Sequence, residues 1–96
     1  MVIDIEKGNG HWKDYEVMVK EGLAEKLQMG SAIKTILEHR TLSIDVRGAL
    51  VKSVVQGIMN LYYVKDTKDY VPILTEDGEK FLEMCDNYTR AGAFAG

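Results

Sequence analysis

The chain has 96 residues, 46% apolar and 28% charged, with one proline and a formal charge of −3; this is a globular mixture of one-domain size, not a disordered chain. Its one cysteine, Cys85, excludes an internal disulfide. No stretch nears the roughly 20 apolar residues that span a bilayer, and the acidic start Met1-Val2-Ile3-Asp4-Ile5-Glu6 lacks the basic residues and apolar run of a signal peptide, so a single cytoplasmic domain over 1–96, with no membrane contact, is expected.

Residues 1–11 read as an N-terminal strand or arm, Val2-Ile3-Asp4-Ile5 being extended and Gly8-Asn9-Gly10 breaking it. From Trp12 the period becomes helical. Trp12, Tyr15, Val19, Leu23 and Leu27 recur three or four apart, so one face of a first helix is apolar. Gly30 closes that helix and Ser31 caps the next. In the short second helix Ile33, Ile36 and Leu37 point inward, and Lys34, Glu38 and Arg40 point out.

Thr41-Leu42-Ser43 makes a corner, with Ser43 the N-cap of a third helix over Ile44 to Leu61. At about 100° per residue, Leu50, Val51, Val54, Val55, Ile58, Met59 and Leu61 cover most of its circumference. Lys52, Ser53, Gln56 and Asn60, with Ala49 and Gly57, gather into a narrow polar strip. Such a helix belongs at the centre of the core with one thin open face.

Tyr62-Tyr63-Val64 and Tyr70-Val71-Pro72-Ile73-Leu74 flank the polar turn Lys65-Asp66-Thr67-Lys68-Asp69, which predicts a β-hairpin. Pro72 has no N–H, so its strand should lie at an edge or be bulged. Thr75 caps a last helix whose first turn carries Glu76, Asp77 and Glu79, suited to the positive end of its dipole. Phe81, Leu82, Cys85 and Tyr88 form its apolar stripe, and 91–96 is a loose tail. The expected fold class is α+β, mainly α: three helices, a hairpin and a closing helix.

Chemistry is sparse. His11 and His39 are the only imidazoles, and no spacing of His, Cys, Asp or Glu suggests a metal site. Gly8-x-Gly10 is a turn, lacking the rest of a phosphate loop. Neither an enzyme nor a cofactor is expected.

The element order, with Tyr62-Tyr63-Val64-Lys65 before a charged turn and then Tyr70-Val71-Pro72-Ile73 leading into Leu74-Thr75-x-x-Gly78-x-x-x-Leu82, resembles the winged helix-turn-helix DNA-binding family over roughly residues 43–88. The resemblance implies that the third helix lies in the major groove of double-stranded DNA, in a transcriptional regulator. Gln56 and Asn60 would then face adenine edges, Lys52 guanine or phosphate, and Ser53 phosphate or base, while Lys65 and Lys68 of the wing would touch the backbone.

Charge points to a second class of function. Residues 41–72 hold four cations against three carboxylates, and residues 73–96 hold two against five, whereas polyanion-binding surfaces show a large basic excess. The alternative is a small protein-binding module, an adaptor or an inhibitor of a larger complex, that uses the tyrosine-rich hairpin and the acidic last helix. The stripe Phe81, Leu82, Cys85 and Tyr88 is a candidate homodimer interface in either case.

Overall fold

The computed structural model describes residues 2–90, with side chains as far as Cys85. Among them are four α-helices and a three-stranded antiparallel sheet in the order α1 (Trp12–Lys20), β1 (Ala24–Lys26), α2 (Met29–Glu38), α3 (Ile44–Val55), β2 (Met59–Val64), β3 (Asp69–Leu74) and α4 (Glu76–Arg90). The α+β class, the hairpin and the closing helix are as expected. The sheet has an additional strand, β1, and its order is β1-β2-β3.

Two helices stop earlier than their apolar periods predict. The expected first helix ran through Leu27 and the third through Leu61, but α1 ends at Lys20 and α3 at Val55. Both ends use the same device. Gly22 (φ 76°) and Gly57 (φ 75°) take the left-handed conformation that only glycine adopts without penalty. Their N–H groups bond Val19 O and Val54 O at 3.1 Å, and the next residues, Leu23 and Ile58, reach back to Met18 O and Ser53 O. These paired bonds satisfy helix-end carbonyls and turn the chain into a strand. The second helix starts at Met29, so Gly30 lies inside it and Ser31 does not cap it. Ser43 does cap α3, accepting from Val46 N at 3.2 Å.

The middle strand separates two cores. Met59 and Leu61 point to one side and pack with Ile3, Ala32, Ile36 and Val54, under α2 and α3. Tyr62 points to the other and packs with Val71, Ile73, Trp12 and Tyr15, under α1. Helix α1 therefore lies across the sheet from α2 and α3. Ala24, the β1 residue opposite Val64, is small and buried at the α1 side of the sheet.

The N-terminal arm makes a single parallel bridge, Ile3 to Tyr70, followed by a 3-10 turn at Glu6–Asn9. Tyr70 N donates to Val2 O and Tyr70 O accepts from Asp4 N, both at 2.8 Å. Tyr70 thus turns its backbone groups away from β2. Pro72, two residues on, has the same orientation, so its missing N–H falls on the outer edge of an edge strand.

Helix α4 is fixed by its first turn. Thr75 Oγ1 donates to Gly57 O at 2.8 Å and accepts from Gly78 N at 2.9 Å, while Thr75 N donates to Ile58 O. Gly78 sits so close that a Cβ there would be 2.0 Å from Ile58 O. The Leu-Thr-x-x-Gly wording is thus a clamp between α4 and the α3–β2 turn. Gly78→Ala should destabilise the fold by about 1–3 kcal/mol through overpacking against backbone. Gly48→Ala, inside α3 where an added Cβ meets nothing within 4 Å, should stabilise it by about 0.5–1 kcal/mol. Urea unfolding of the two variants checks both signs.

Candidate functional site

The polar strip expected on one long helix is divided among different elements. Lys52 is exposed near the end of α3, and Gln56 is the exposed residue that ends it. Ser53 turns its hydroxyl onto its own helix, donating to Ala49 O at 2.9 Å. Asn60 is not helical. It lies in β2 on the Tyr62 side of the sheet, beside Trp12, Glu16, Thr75 and Glu76, across from α3.

The hairpin cations lie elsewhere. Gln56 precedes β2 and Lys65 follows it, so they sit at opposite ends of a strand spanning roughly 17 Å. Lys65 is 3.9 Å from Glu25. Lys68 occupies a left-handed turn position (φ 59°) and is exposed beside the equally exposed Asp66. Arg47 Nε donates to Leu42 O at 3.2 Å and its Nη1 to Leu37 O at 3.1 Å, so this cation ties down the α2–α3 corner. The first half of α3 presents Ile44, Asp45, Val46 and Ala49 to solvent.

The hairpin tyrosines are mostly spent on the fold. Tyr62 is 1% exposed. Tyr63 and Tyr70 are half-buried against one another, ring centroids 5.2 Å apart, and the His39 ring meets Tyr70 edge-on while its Nδ1 bonds Thr35 O. Burial pushes the Tyr15 and Tyr62 phenols above the ordinary tyrosine range, helped by Asp4 and Asp14 in the first case; in the second, Glu16 raises the value and Asn60 opposes it. With folded values raised, this stabilisation is complete below the ordinary range and is lost as pH climbs through the raised values.

Apolar side chains are open on α4 and α2 as well. On α4, Phe81 is 51% exposed, Leu82 53% and Met84 69%, with Cys85 exposed beside them. Met84 was not part of the expected stripe, and the Tyr88 side chain lies outside those described. Glu76, Glu79 and Glu83 lie on the opposite side by helical spacing, and Asp77 lies on the Phe81 side. The other surface lies on α2. Leu37, expected in the core, is 50% exposed, as is Met29 at 51%. An open depression of about 620 Å³ runs along this face, lined by Gly30, Ile33, Lys34, Leu37, Glu38 and Arg40. Gly30, Ile33, Lys34, Leu37 and Glu38 follow the i, i+3, i+4, i+7, i+8 spacing of one helical face, and Arg40 lies beyond the end of α2.

A second hollow, about 280 Å³, lies between α1 and the sheet at Glu16, Val19, Lys20, Lys26 and Tyr62. At the start of α1, His11 caps the helix, its Nδ1 accepting from Lys13 N at 3.1 Å, and its ring stacks on Trp12. Trp12 Nε1 donates to Glu79 Oε1 at 2.9 Å, joining α1 to α4. No group of three or more His, Cys, Asp or Glu among the described residues could hold a metal ion, and no helix there is long and apolar enough to cross a membrane.

No known protein family, curated protein or solved structure matches this chain.

The α2 face could have been found in the sequence. Met29, Ile33 and Leu37 recur every fourth residue, offset from the buried pair Ala32 and Ile36. Arg47→Met keeps the side-chain stem and removes both carbonyl bonds, so it should cost about 1–2 kcal/mol. An unchanged urea midpoint would mean that Arg47 is an idle surface cation.

Proposed function

We propose that this domain acts by binding protein, with α4 as its contact element. One observation carries the reading: beyond its clamped first turn, α4 leaves Phe81, Leu82 and Met84 half or more exposed. Large apolar side chains grouped on one small protein are a feature of interaction surfaces. The charge distribution supports the same reading, because α4 is acidic and the cations of α3 and the hairpin are spread over separate parts of the molecule. A homodimer, and an adaptor or inhibitor that docks on a larger complex, are both served by such a helix.

The test is the double substitution Phe81→Glu/Leu82→Glu. It should abolish self-association or capture of a partner, read by sedimentation and pull-down, while far-UV circular dichroism keeps its wild-type form. Association that survives the double variant places the contact elsewhere.

A second reading is favoured by the helix–turn–helix order of α2 and α3 followed by the β2–β3 hairpin. In it the domain is a winged-helix regulator that lays α3 on duplex DNA, with Lys52 and Gln56 on the bases and Lys65 and Lys68 on phosphate. Fluorescence anisotropy with a labelled random duplex separates the two. The protein-binding reading expects no binding at low salt. Binding that falls steeply with salt and is lost in Lys65→Ala/Lys68→Ala would establish the second.

A further inference from the structure

Strand pairing and helical spacing bring six side chains to one cleft. Asn60 and Tyr62, two apart in β2, share a face of the sheet, and Lys26 is the cross-strand partner of Tyr62. Across from them α1 presents Glu16, Val19 and Lys20, spaced i, i+3 and i+4 on one side of the helix. The hollow of about 280 Å³ between these two walls adjoins a smaller one of about 130 Å³. Together they reach the lower end of the range, about 300–1,000 Å³, usual for small-ligand clefts. Lys20 and Lys26 line the larger hollow, Asn60 lines the smaller, and Glu16 and Tyr62 line both.

The fold leaves the polar groups of this cleft unused. Tyr62 is 1% exposed, its ring packed in the core under α1. No acceptor among the described residues bonds its hydroxyl proton, and no fully buried side-chain oxygen there lacks a partner, so this oxygen opens onto the hollow. The Asn60 amide beside it favours the ionised oxygen, as a donor does, which leaves the phenol proton unmatched. The ion pairs among the described residues leave out Glu16, Lys20 and Lys26.

We propose that this cleft binds a small molecule that carries an amide next to a free carboxylate, as N-acyl amino acids and short peptides do. Each part of such a ligand meets its complement. The amide carbonyl accepts the Tyr62 proton, the amide N–H donates to the Glu16 carboxylate, and the ligand carboxylate meets Lys20 and Lys26. Val19 and the aliphatic stems of the two lysines cover its apolar part. A simple anion would gain the lysines but face Glu16, and a neutral amide would leave both lysines unpaired. The site uses none of the α4 stripe, so it stands apart from the protein-binding reading.

The test is a titration of the full chain with N-acetyl-L-alanine, followed in amide proton–nitrogen spectra. Saturable shifts at Lys20, Lys26, Asn60 and Tyr62 are expected, with a Kd of about 1 mM, ordinary for so small a ligand. Acetate, which lacks the amide, and N-acetyl-L-alanine N-methylamide, which lacks the carboxylate, should each bind about tenfold more weakly. Tyr62→Phe keeps the buried ring and should weaken binding about tenfold. Lys20→Gln/Lys26→Gln changes only exposed side chains and should weaken it about as much, removing its salt dependence. Circular dichroism verifies the fold of both variants, and the lysine pair alone decides if Tyr62→Phe does not fold. N-acetyl-tetra-alanine separates two sources of the ligand: binding as tight as that of N-acetyl-L-alanine points to a protein chain end, and weaker binding to a free small molecule. The absence of saturable shifts in the cleft overturns the proposal. So does binding that either folded variant leaves unchanged, and so does acetate that binds as tightly as N-acetyl-L-alanine.

Discussion

Strand β2 is the constraint on which everything else depends. It has β1 on one side and β3 on the other, and its alternating side chains supply both cores. Leu61 faces Ile36, Ala32 and Val54, and Tyr62 faces Val71, Ile73 and Trp12. A shift of register by one residue would exchange these two sets and place the Tyr62 ring where Leu61 fits. In a chain of this size neither core is large. The strand that joins them therefore decides where α1, on one side, and α2 with α3, on the other, can lie.

The same strand sets the surface. Its first residue follows the Gly57 turn, onto which Thr75 and Gly78 clamp the start of α4. Only that first turn is held against the body, and the next turns carry their apolar side chains partly into solvent. Helix α2 offers only one side to the sheet, through Ala32 and Ile36, which leaves Leu37 and Met29 outside. The exposed apolar surface is thus a consequence of how a three-stranded sheet seats its helices.

Element types were largely legible in the sequence, because the hairpin and the caps at Ser43 and Thr75 are local signals. Boundaries were less so. Apolar residues recur at helical spacing straight through Gly22 and Gly57, and periodicity alone cannot say that a glycine has turned left-handed. That one ambiguity moved Asn60 from a strand to a helix and assembled a polar strip that the chain does not present on one surface. Leu37 was misplaced for another reason. Its spacing from Ile33 suits an inward face, but the side of a helix that meets a sheet is fixed by tertiary packing. The open stripe at Phe81 and Leu82 was visible, since Phe81, Leu82 and Cys85 share one side of α4 and Glu79 and Glu83 the other.

The chain folds as a small two-core sheet domain whose α4 leaves Phe81, Leu82 and Met84 open to solvent. The most direct test is the amide proton–nitrogen spectrum of labelled protein, recorded on dilution and again with duplex DNA added. Dilution should shift resonances along α4 and leave the hairpin turn unmoved, and DNA should change nothing. Shifts at Lys52, Lys65 and Lys68 on adding duplex, with α4 insensitive to dilution, would contradict the account.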